Sequence, residues 1–324
     1  MKNSIIKIIP GLLLISVLLF ACSTEINENS EIQLTETGIN SEEWVKIPAG
    51  EFYKGIHAHE ANINYDYEIM LTHVTNSQFV GFLNSAVNDG KITVNDTAVL
   101  GYYPGDEFFG YNHEIEILEG NKLLMPLIEA GMHIQYINQK FEVDKGYENH
   151  PVIMITWFGA KAYADYYGWR LPSENEWEKA ARGTDKRAYP WGNEINKQNA
   201  NYFNNRYKIE KSIENHARTT PVGFFNGNKY GDFETVKSLS PYGLYDMAGN
   251  VWQWVGDDYP DIHYRFMRGG SYQNYDYNLR VWAKNNAGPD YYSIWTGFRC
   301  ARDIVEKEEL PPSEEELIID ITDN

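Results

Sequence analysis

Aromatic residues spread over short, irregular segments are the feature that most limits how this chain folds. The 324 residues include 24 Tyr, 14 Phe and 9 Trp, and 43% of all residues are hydrophobic. That much apolar surface excludes a chain that is disordered throughout and supports a sizeable core. Apolar residues recur at helical spacing in only a few places, and elsewhere brief strand-like runs are interrupted by Gly, Asn and Pro. The sequence therefore predicts a loop-rich mixture of helices and strands, packed largely through aromatic side chains.

Three helices are predicted, and each follows a Ser or Thr that suits the N-cap position. They run from about Asn76 to Val87, from just after Thr156 to Gly168, and from Ser173 to Gly183. Glu176 completes a capping box at the start of the third helix. Residues 51–53 and 265–268 have strand-like composition. Residues 101–150 show no strong periodicity, and we predict a loop-rich insertion with short strands there.

The N-terminus has the pattern of an export signal. Lys2 and Lys7 precede an almost purely apolar run over residues 8–21, which is short for a membrane-spanning helix. The run ends in Leu-Phe-Ala followed by Cys22, which resembles a bacterial lipobox. That resemblance implies cleavage before Cys22, lipidation of its thiol, and a lipid-anchored protein on the cell envelope. An ordinary signal peptide or an N-terminal anchor helix is the alternative.

Acidic residues are concentrated towards both ends of the chain, whose net charge is −18. Residues 22–43 contain six Glu and no Lys or Arg, and residues 304–324 contain eight acidic residues against Lys307. We predict an acidic flexible tether over 22–43 and an acidic tail over 304–324, which is either solvated or a partner-binding segment. A chain this acidic lacks the basic footprint of a nucleic-acid-binding protein.

Between the tether and the tail, a distinctive set of segments occurs in a fixed order. The segments are Trp44–Phe52, Val74–Phe79, His150–Val152, Gly168–Gly183, Tyr189–Asn193, Thr220–Gly223, Tyr242–Trp254, Arg268–Tyr272 and Gly297–Ala301. This set resembles the formylglycine-generating enzyme family, also called sulfatase-modifying factors. The resemblance covers residues 44–303 and implies the family's α+β fold, which is C-type-lectin-like and rich in irregular loops.

The same resemblance raises the question of enzyme activity. Members that oxidise a sulfatase cysteine to formylglycine use two nearby cysteines that bind copper, and thiolates are the soft ligands that select Cu(I). The first of these cysteines would fall at Asn274, and the following stretch contains no cysteine. Of the two cysteines in the chain, Cys22 belongs to the lipobox and Cys300 to a segment that is structural in the family. We therefore expect no bound copper and no formylglycine-generating activity.

Histidines give no metal pattern in the sequence. A related enzyme branch holds iron with three histidines supplied largely by an additional helical domain, which this chain lacks. The pair His57 and His59 lies in a segment that we interpret as a polar loop. Five further histidines stand alone in the sequence and are predicted to be structural: His113, His133, His150, His216 and His263.

Structural calcium is the cofactor that the family resemblance implies. Calcium binds carboxylate, amide and backbone carbonyl oxygens. One expected site comprises Asn201, Tyr202, Glu214 and His216, and the other comprises Asp246, Gly249, Val251 and Gln253. The family usually has Glu where this chain has Gln253. The alternative is that hydrogen bonds alone hold these loops.

Two hypotheses for function follow. The first is a non-catalytic lipoprotein that binds or scaffolds an envelope protein or glycan, with a layout similar to lipoproteins of gliding-motility and type IX secretion machinery. The second is an enzyme with a divergent active site. A candidate groove for either role comprises Ser271, Tyr272, Asn274, Tyr275 and Arg280. The alternative is that most of the aromatic residues in this region belong to the core.

Overall fold

The computed structural model describes residues 36–205, 218–259 and 262–304. Cys22, Glu214 and His216 lie outside the described residues, as do most of the predicted tether and tail. The predictions for these residues therefore stay predictions. Thr37, within the predicted tether, is buried, and its hydroxyl donates to the Val222 carbonyl at 2.9 Å, so the described end of that segment packs on the domain. Across the described part of the chain, no helix has the length and apolarity needed to cross a membrane.

The three predicted helices are confirmed. They are α1 (Asn76–Asn88), α2 (Trp157–Tyr166) and α3 (Glu174–Arg182). At the start of α3, Ser173 Oγ accepts a hydrogen bond from the Glu176 N–H at 3.2 Å, and the Glu176 carboxylate accepts one from the Ser173 N–H at 2.8 Å. This is the predicted capping box, and it saturates two backbone donors that would otherwise lack partners. A second capping box, between Thr75 and Gln78, begins α1.

The strands of the described residues form several small sheets. One three-stranded antiparallel sheet comprises β1 (Trp44–Ile47), β4 (Tyr67–Met70) and β16 (Ala301–Asp303). Another comprises β5 (Ile92–Val94), β6 (Ala98–Tyr103) and β7 (Gly120–Pro126). The two-stranded pairs are β2 (Gly50–Lys54) with β3 (His59–Ile63), β8 (Ile134–Ile137) with β9 (Lys140–Val143), and β10 (Lys229–Tyr230) with β11 (Phe233–Glu234).

A four-stranded sheet positions the candidate site. Its order is β14 (Lys284–Ala287), β13 (Tyr264–Arg268), β12 (Trp252–Tyr259) and β15 (Thr296–Phe298). Strand β12 runs antiparallel to β13 and parallel to β15. The predicted strands at 51–53 and 265–268 correspond to β2 and β13 and are confirmed.

Aromatic side chains form much of the core, as predicted. Tyr163 of α2 stacks on Phe79 of α1 with ring centroids 5.7 Å apart, and it meets Phe298 of β15 edge-on at 5.3 Å. These rings belong to the larger of the apolar clusters. A second cluster surrounds the fully buried Trp177 of α3 and packs against the sheet that contains β1 and β4. Short elements are thus held together by large rings rather than by extended sheet pairing.

Two consecutive glycines direct the chain out of β13. Gly269 and Gly270 have φ angles of 92° and 72°, a region that L side chains rarely adopt. A Cβ atom at position 270 would lie 2.8 Å from the backbone oxygen of Asn278. The sharp turn that these glycines permit presents Ser271 and the residues after it to the end of the four-stranded sheet.

Candidate functional site

Asn274, at the position expected for the first copper-binding cysteine, is part of a hydrogen-bonded turn. Its Oδ1 accepts hydrogen bonds from the backbone N–H of Ser271 at 2.9 Å and from the Ser271 hydroxyl at 2.8 Å. The Asn274 carbonyl accepts a further bond from the Phe203 N–H at 3.0 Å. Both acceptor positions of the carboxamide oxygen are therefore used within the turn. The residue shapes the backbone and offers no soft ligand for copper.

A cavity of about 400 Å³ opens beside this turn. Its lining residues are Ala130, Gly131, His133, Tyr147, Ile153, Arg218, Thr219, Tyr272 and Ile294. Most of this lining is apolar or aromatic, and the exposed Arg218 supplies a positive charge. His133 stacks on Tyr147 with ring centroids 3.5 Å apart, and burial lowers the pKa of His133 despite the nearby Asp144. The cavity thus combines an apolar lining with a neutral imidazole and one cation.

Of the five predicted groove residues, Tyr272 is the one that lines this cavity. Ser271 and Asn274 form the adjoining turn. Tyr275 is exposed and its ring lies 4.5 Å from that of Phe203. The Arg280 guanidinium packs over two other rings of this region, those of Tyr277 and Trp282, at 5.1 and 5.8 Å.

The first set of predicted calcium ligands includes a buried oxygen that lacks a partner. Asn201 is 1% exposed, and its side-chain N–H donates to the Arg218 carbonyl at 2.9 Å. Its Oδ1 has no hydrogen-bond partner among the described residues. A buried carboxamide oxygen without a donor is costly, and an ion is one way to satisfy it. Asn201 therefore fits the calcium prediction, while Tyr202 lies beside it in the chain and contributes a backbone carbonyl at most.

The second set fits an ion less well. Gln253 Oε1 accepts hydrogen bonds from Trp177 Nε1 at 2.9 Å and from Arg299 Nε at 2.7 Å, so both of its acceptor positions are used. Asp246 is buried, which raises its pKa to about 6, and its carboxylate accepts a bond from the Gly223 N–H at 2.6 Å. An ion here would depend on Asp246 and the carbonyls of Gly249 and Val251. Calcium at either set stays a prediction.

Cys300 occupies the core, in keeping with the structural role predicted for its segment. The thiol is fully buried and free, and burial raises its pKa well above the usual range. A protonated thiol in an apolar cluster is neither a nucleophile nor a metal ligand. It packs in the same cluster as Phe298 and Tyr163.

One group of metal-ligating side chains was missed in the sequence. Asp106, Asp258 and His263 offer ligand atoms that all lie within 4.8 Å of one another. His263 stands alone in the sequence, but in the structure the insertion folds back onto the hairpin between β12 and β13 and brings Asp106 beside it. Asp106 and His263 are more than 150 positions apart, and no spacing rule connects them. Within the described ranges, no other group of three such residues was found.

Comparison with known proteins gives a family match over most of the chain. A family model described as the sulfatase-modifying factor enzyme 1-like domain matches residues 29–304. A serine/threonine-protein kinase pkn1 from Chlamydia caviae is 30% identical over 288 residues, which cover 81% of this chain but 38% of the relative. A formylglycine-generating enzyme from Thermomonospora curvata is 36% identical over 182 residues, covering 48% of this chain and 56% of the enzyme.

Two further comparisons bear on fold and activity. The inactive C-alpha-formylglycine-generating enzyme 2 of Bos taurus is 35% identical over 160 residues, covering 47% of this chain and 50% of that protein. The structure of PvdO from Pseudomonas aeruginosa superimposes with a TM-score of 0.50 at 21% identity, covering 81% of this chain and 94% of PvdO. The chain thus spans less than two thirds of the length of these curated relatives, and the structural match shows the α+β fold.

Proposed function

Because the chain belongs to the sulfatase-modifying factor family, we propose that it uses this fold for binding rather than oxidation, as a lipoprotein held at the cell envelope. The observation that carries the proposal is Asn274, whose side-chain oxygen is used by the turn at the position of the copper-binding thiol. Cys300 is buried in the core and does not replace that thiol. A relative named as inactive supports the idea that members exist without the chemistry.

The cavity beside Tyr272 is the binding site in this proposal. Its lining is mainly apolar and aromatic, with the positive charge of Arg218. Such a lining suits an apolar side chain of an extended peptide segment that also carries a carboxylate. A glycan would require more convergent polar groups than the residues around the cavity supply. We therefore favour an envelope protein over a glycan as the partner.

The lipobox supports the proposed location. Lipidation of Cys22 would anchor the chain, and the acidic segment between Cys22 and the buried Thr37 would hold the folded domain away from a negatively charged membrane surface. A binding domain on such a tether could contact partner proteins that lie close to the membrane. The proposal places it on the outer membrane or the periplasmic face.

Site-specific photo-crosslinking in cells tests the binding site. A photoreactive amino acid at the exposed Ala130, on the cavity lining, is compared with the same amino acid at Ile56, which is 55% exposed in the β2–β3 hairpin. We expect a discrete protein adduct from position 130 and none from position 56. Ile294→Trp should fill the cavity and abolish the adduct. Equal adducts at both positions, or an adduct that survives Ile294→Trp, would contradict the proposal.

A second candidate function is an enzyme with a divergent active site. The observation that favours it is the group formed by Asp106, Asp258 and His263, which borders a separate cavity of about 450 Å³. A metal ion bound beside a cavity that is open to substrate is common in hydrolytic enzymes. This candidate requires, at a minimum, that the group bind a metal.

A further inference from the structure

We propose that Asp106, Asp258 and His263 bind one divalent transition-metal ion of the zinc class, which ties the insertion to the β12–β13 hairpin. Nδ1 of His263 lies 3.1 Å from Asp106 Oδ2 and 3.6 Å from Asp258 Oδ2. His263 is 2% exposed, and Asp106 is nearly buried as well. Asp258 is 32% exposed, so the three ligand atoms face one another at the edge of a cavity, with His263 and Asp106 shielded from water.

The tautomer of His263 can be inferred from Glu114. Glu114 Oε1 lies 2.7 Å from His263 Nε2, and the same carboxylate accepts backbone N–H bonds from Phe109 and Tyr111, each at 2.8 Å. A carboxylate that accepts two backbone N–H bonds acts as an ionised acceptor, so the Nε2 that faces it is the donor. This is the arrangement in which an outer carboxylate orients a metal-binding imidazole.

Nδ1 of His263 is then left as a buried lone pair that points at two carboxylates. It makes no hydrogen bond of acceptable geometry with any described residue, although Asp106 and Asp258 are close. A lone pair that faces two negative oxygens is unfavourable, and a cation bound by all three atoms would remove the conflict while sharing both oxygens with the Arg265 guanidinium, which already contacts them. The buried, unpartnered nitrogen is the observation that distinguishes this group from an ordinary acidic cluster.

The charge of the surroundings leaves room for a divalent ion. Arg265 pairs with Asp106, and its Nη1 lies 2.8 Å from Asp258 Oδ2. The Tyr103 hydroxyl donates to Asp106 Oδ1 at 2.5 Å. The three carboxylates of Asp106, Asp258 and Glu114 exceed the single charge of Arg265 by two. A divalent ion would neutralise this excess.

The ligand chemistry selects the class of ion. Imidazole nitrogen suits zinc and similar transition metals, and carboxylate oxygens complete such sites. Calcium and magnesium favour shells made of oxygen alone. Three protein ligands and an adjacent cavity of about 450 Å³ would leave a coordination position for water. Zn²⁺ is therefore the probe of choice, with Ca²⁺ and Mg²⁺ as negative controls.

A consequence concerns the insertion itself. Its segment between β6 and β7 carries exposed apolar side chains, including Phe108, Phe109 and Tyr111, and offers few of them to the core. Asp106 as a ligand and Glu114 as the outer partner of His263 bracket this segment. An ion bound to both it and the β12–β13 hairpin would hold it in place, so limited proteolysis should become slower when Zn²⁺ is added.

Zn²⁺ titration of the untagged full-length protein tests the proposal. Calorimetry should give one zinc per chain, and the melting temperature should rise with Zn²⁺ but not with Ca²⁺ or Mg²⁺. His263→Asn should lose this binding, and the left-handed φ of 56° at position 263 is one that Asn tolerates. Asp258→Asn should lose it as well. His113→Asn, at an exposed histidine of the same insertion, is the matched control and should bind zinc normally.

Two further measurements do not depend on removing a ligand. X-ray absorption of the zinc-loaded protein should show nitrogen and oxygen ligands at about 2.0–2.2 Å, one of them an imidazole. Glu114→Gln should weaken zinc affinity about 10–100-fold without abolishing it. The proposal would be overturned if the wild type bound no zinc, if His263→Asn bound it unchanged, or if the metal shell contained sulfur. His263 would then be an imidazolium that pairs with the surrounding carboxylates.

Discussion

Asn274 and Gln253 show how single side chains change what this fold can do. Each stands where the family pattern that the chain resembles has a metal-binding residue, and in each the carboxamide oxygen already accepts two hydrogen bonds. Gln253 uses its bonds to hold the guanidinium of Arg299, which also donates to the carbonyls of Met70 and Tyr245. At both positions the side-chain oxygen serves structural hydrogen bonds.

The first prediction concerns the thiol of Cys300. In a Cys22→Ser chain, Cys300 is the only cysteine, and its burial together with its raised pKa should prevent reaction with an aromatic disulfide reagent at pH 8. Spectrophotometric titration should detect less than about one tenth of a thiol per native chain, because reaction requires local or global opening. In denaturant it should detect a full equivalent. Rapid labelling of the native protein would contradict the structural role of Cys300.

The second prediction concerns Asp246. Burial raises its folded-state pKa from 3.8 to about 6, so its contribution to stability is fully present below pH 3.8 and is lost as the pH rises through 6. The loss amounts to about 3 kcal/mol at neutral pH. Asp246→Asn should remove this dependence. Between pH 4 and pH 7, the free energy of unfolding of the wild type should therefore fall relative to that of the variant.

The same variant also tests the second calcium site, because a calcium ion bound to Asp246 would stabilise the ionised carboxylate and so offset the loss of stability at neutral pH. If an ion binds Asp246, added Ca²⁺ should stabilise the wild type at pH 7 and leave Asp246→Asn unchanged. An equal response of both proteins would argue against an ion at Asp246. A pH dependence identical in the two proteins would contradict the buried, protonatable carboxyl described above.

At the scale of elements, α3 connects the core to the site through buried charges. Glu178 pairs with Arg268 at the end of β13 and lies 3.2 Å from Arg182, and it also accepts the Gly55 N–H at 2.8 Å. Arg268 immediately precedes the two glycines that form the turn at Ser271. The conformation of the site therefore depends on a helix whose boundaries are fixed by its own caps.

The third prediction compares two glutamates of α3. Glu178→Gln leaves two buried guanidinium groups without a full counter-charge and should lower the free energy of unfolding by about 3 kcal/mol. Glu174→Gln, at a more exposed side chain 3.7 Å from Arg268, should change it by less than about 1 kcal/mol. Urea denaturation at pH 7 measures both. Similar losses in the two variants would contradict the role assigned to Glu178.

Helices whose ends are set by neighbouring residues could be predicted from the sequence. Contacts between residues far apart in the chain could not. Thr75 and Ser173 mark helix starts because a cap bonds to backbone three residues away. The meeting of Asp106 with His263 depends on how the insertion folds back, which no periodicity encodes. The orphaned oxygen of Asn201 is likewise a property of packing rather than of sequence. The fold could be predicted from the resemblance of the motifs to a known family, but not from composition and periodicity alone.

At the scale of the whole molecule, the chain combines a family domain with an acidic N-terminal segment that follows a sequence resembling a lipobox. The fourth prediction tests that layout. Cys22→Ser should move the protein from the membrane pellet to the soluble envelope fraction, because the acyl chains are the proposed anchor. Immunoblotting of fractions measures the shift, with a Ser23→Ala variant as control. Continued sedimentation of Cys22→Ser with membranes would point to an anchor helix instead.

The central claim is that the fold is kept while the copper oxidation is lost, and an oxidation assay tests it most directly. The purified full-length protein is incubated with a sulfatase-motif peptide, oxygen and added copper, and the peptide is analysed by mass spectrometry. The formylglycine-generating enzyme of Thermomonospora curvata serves as positive control. Our account predicts an unchanged cysteine in the peptide at every copper concentration. Copper-dependent conversion of that cysteine to formylglycine would contradict it.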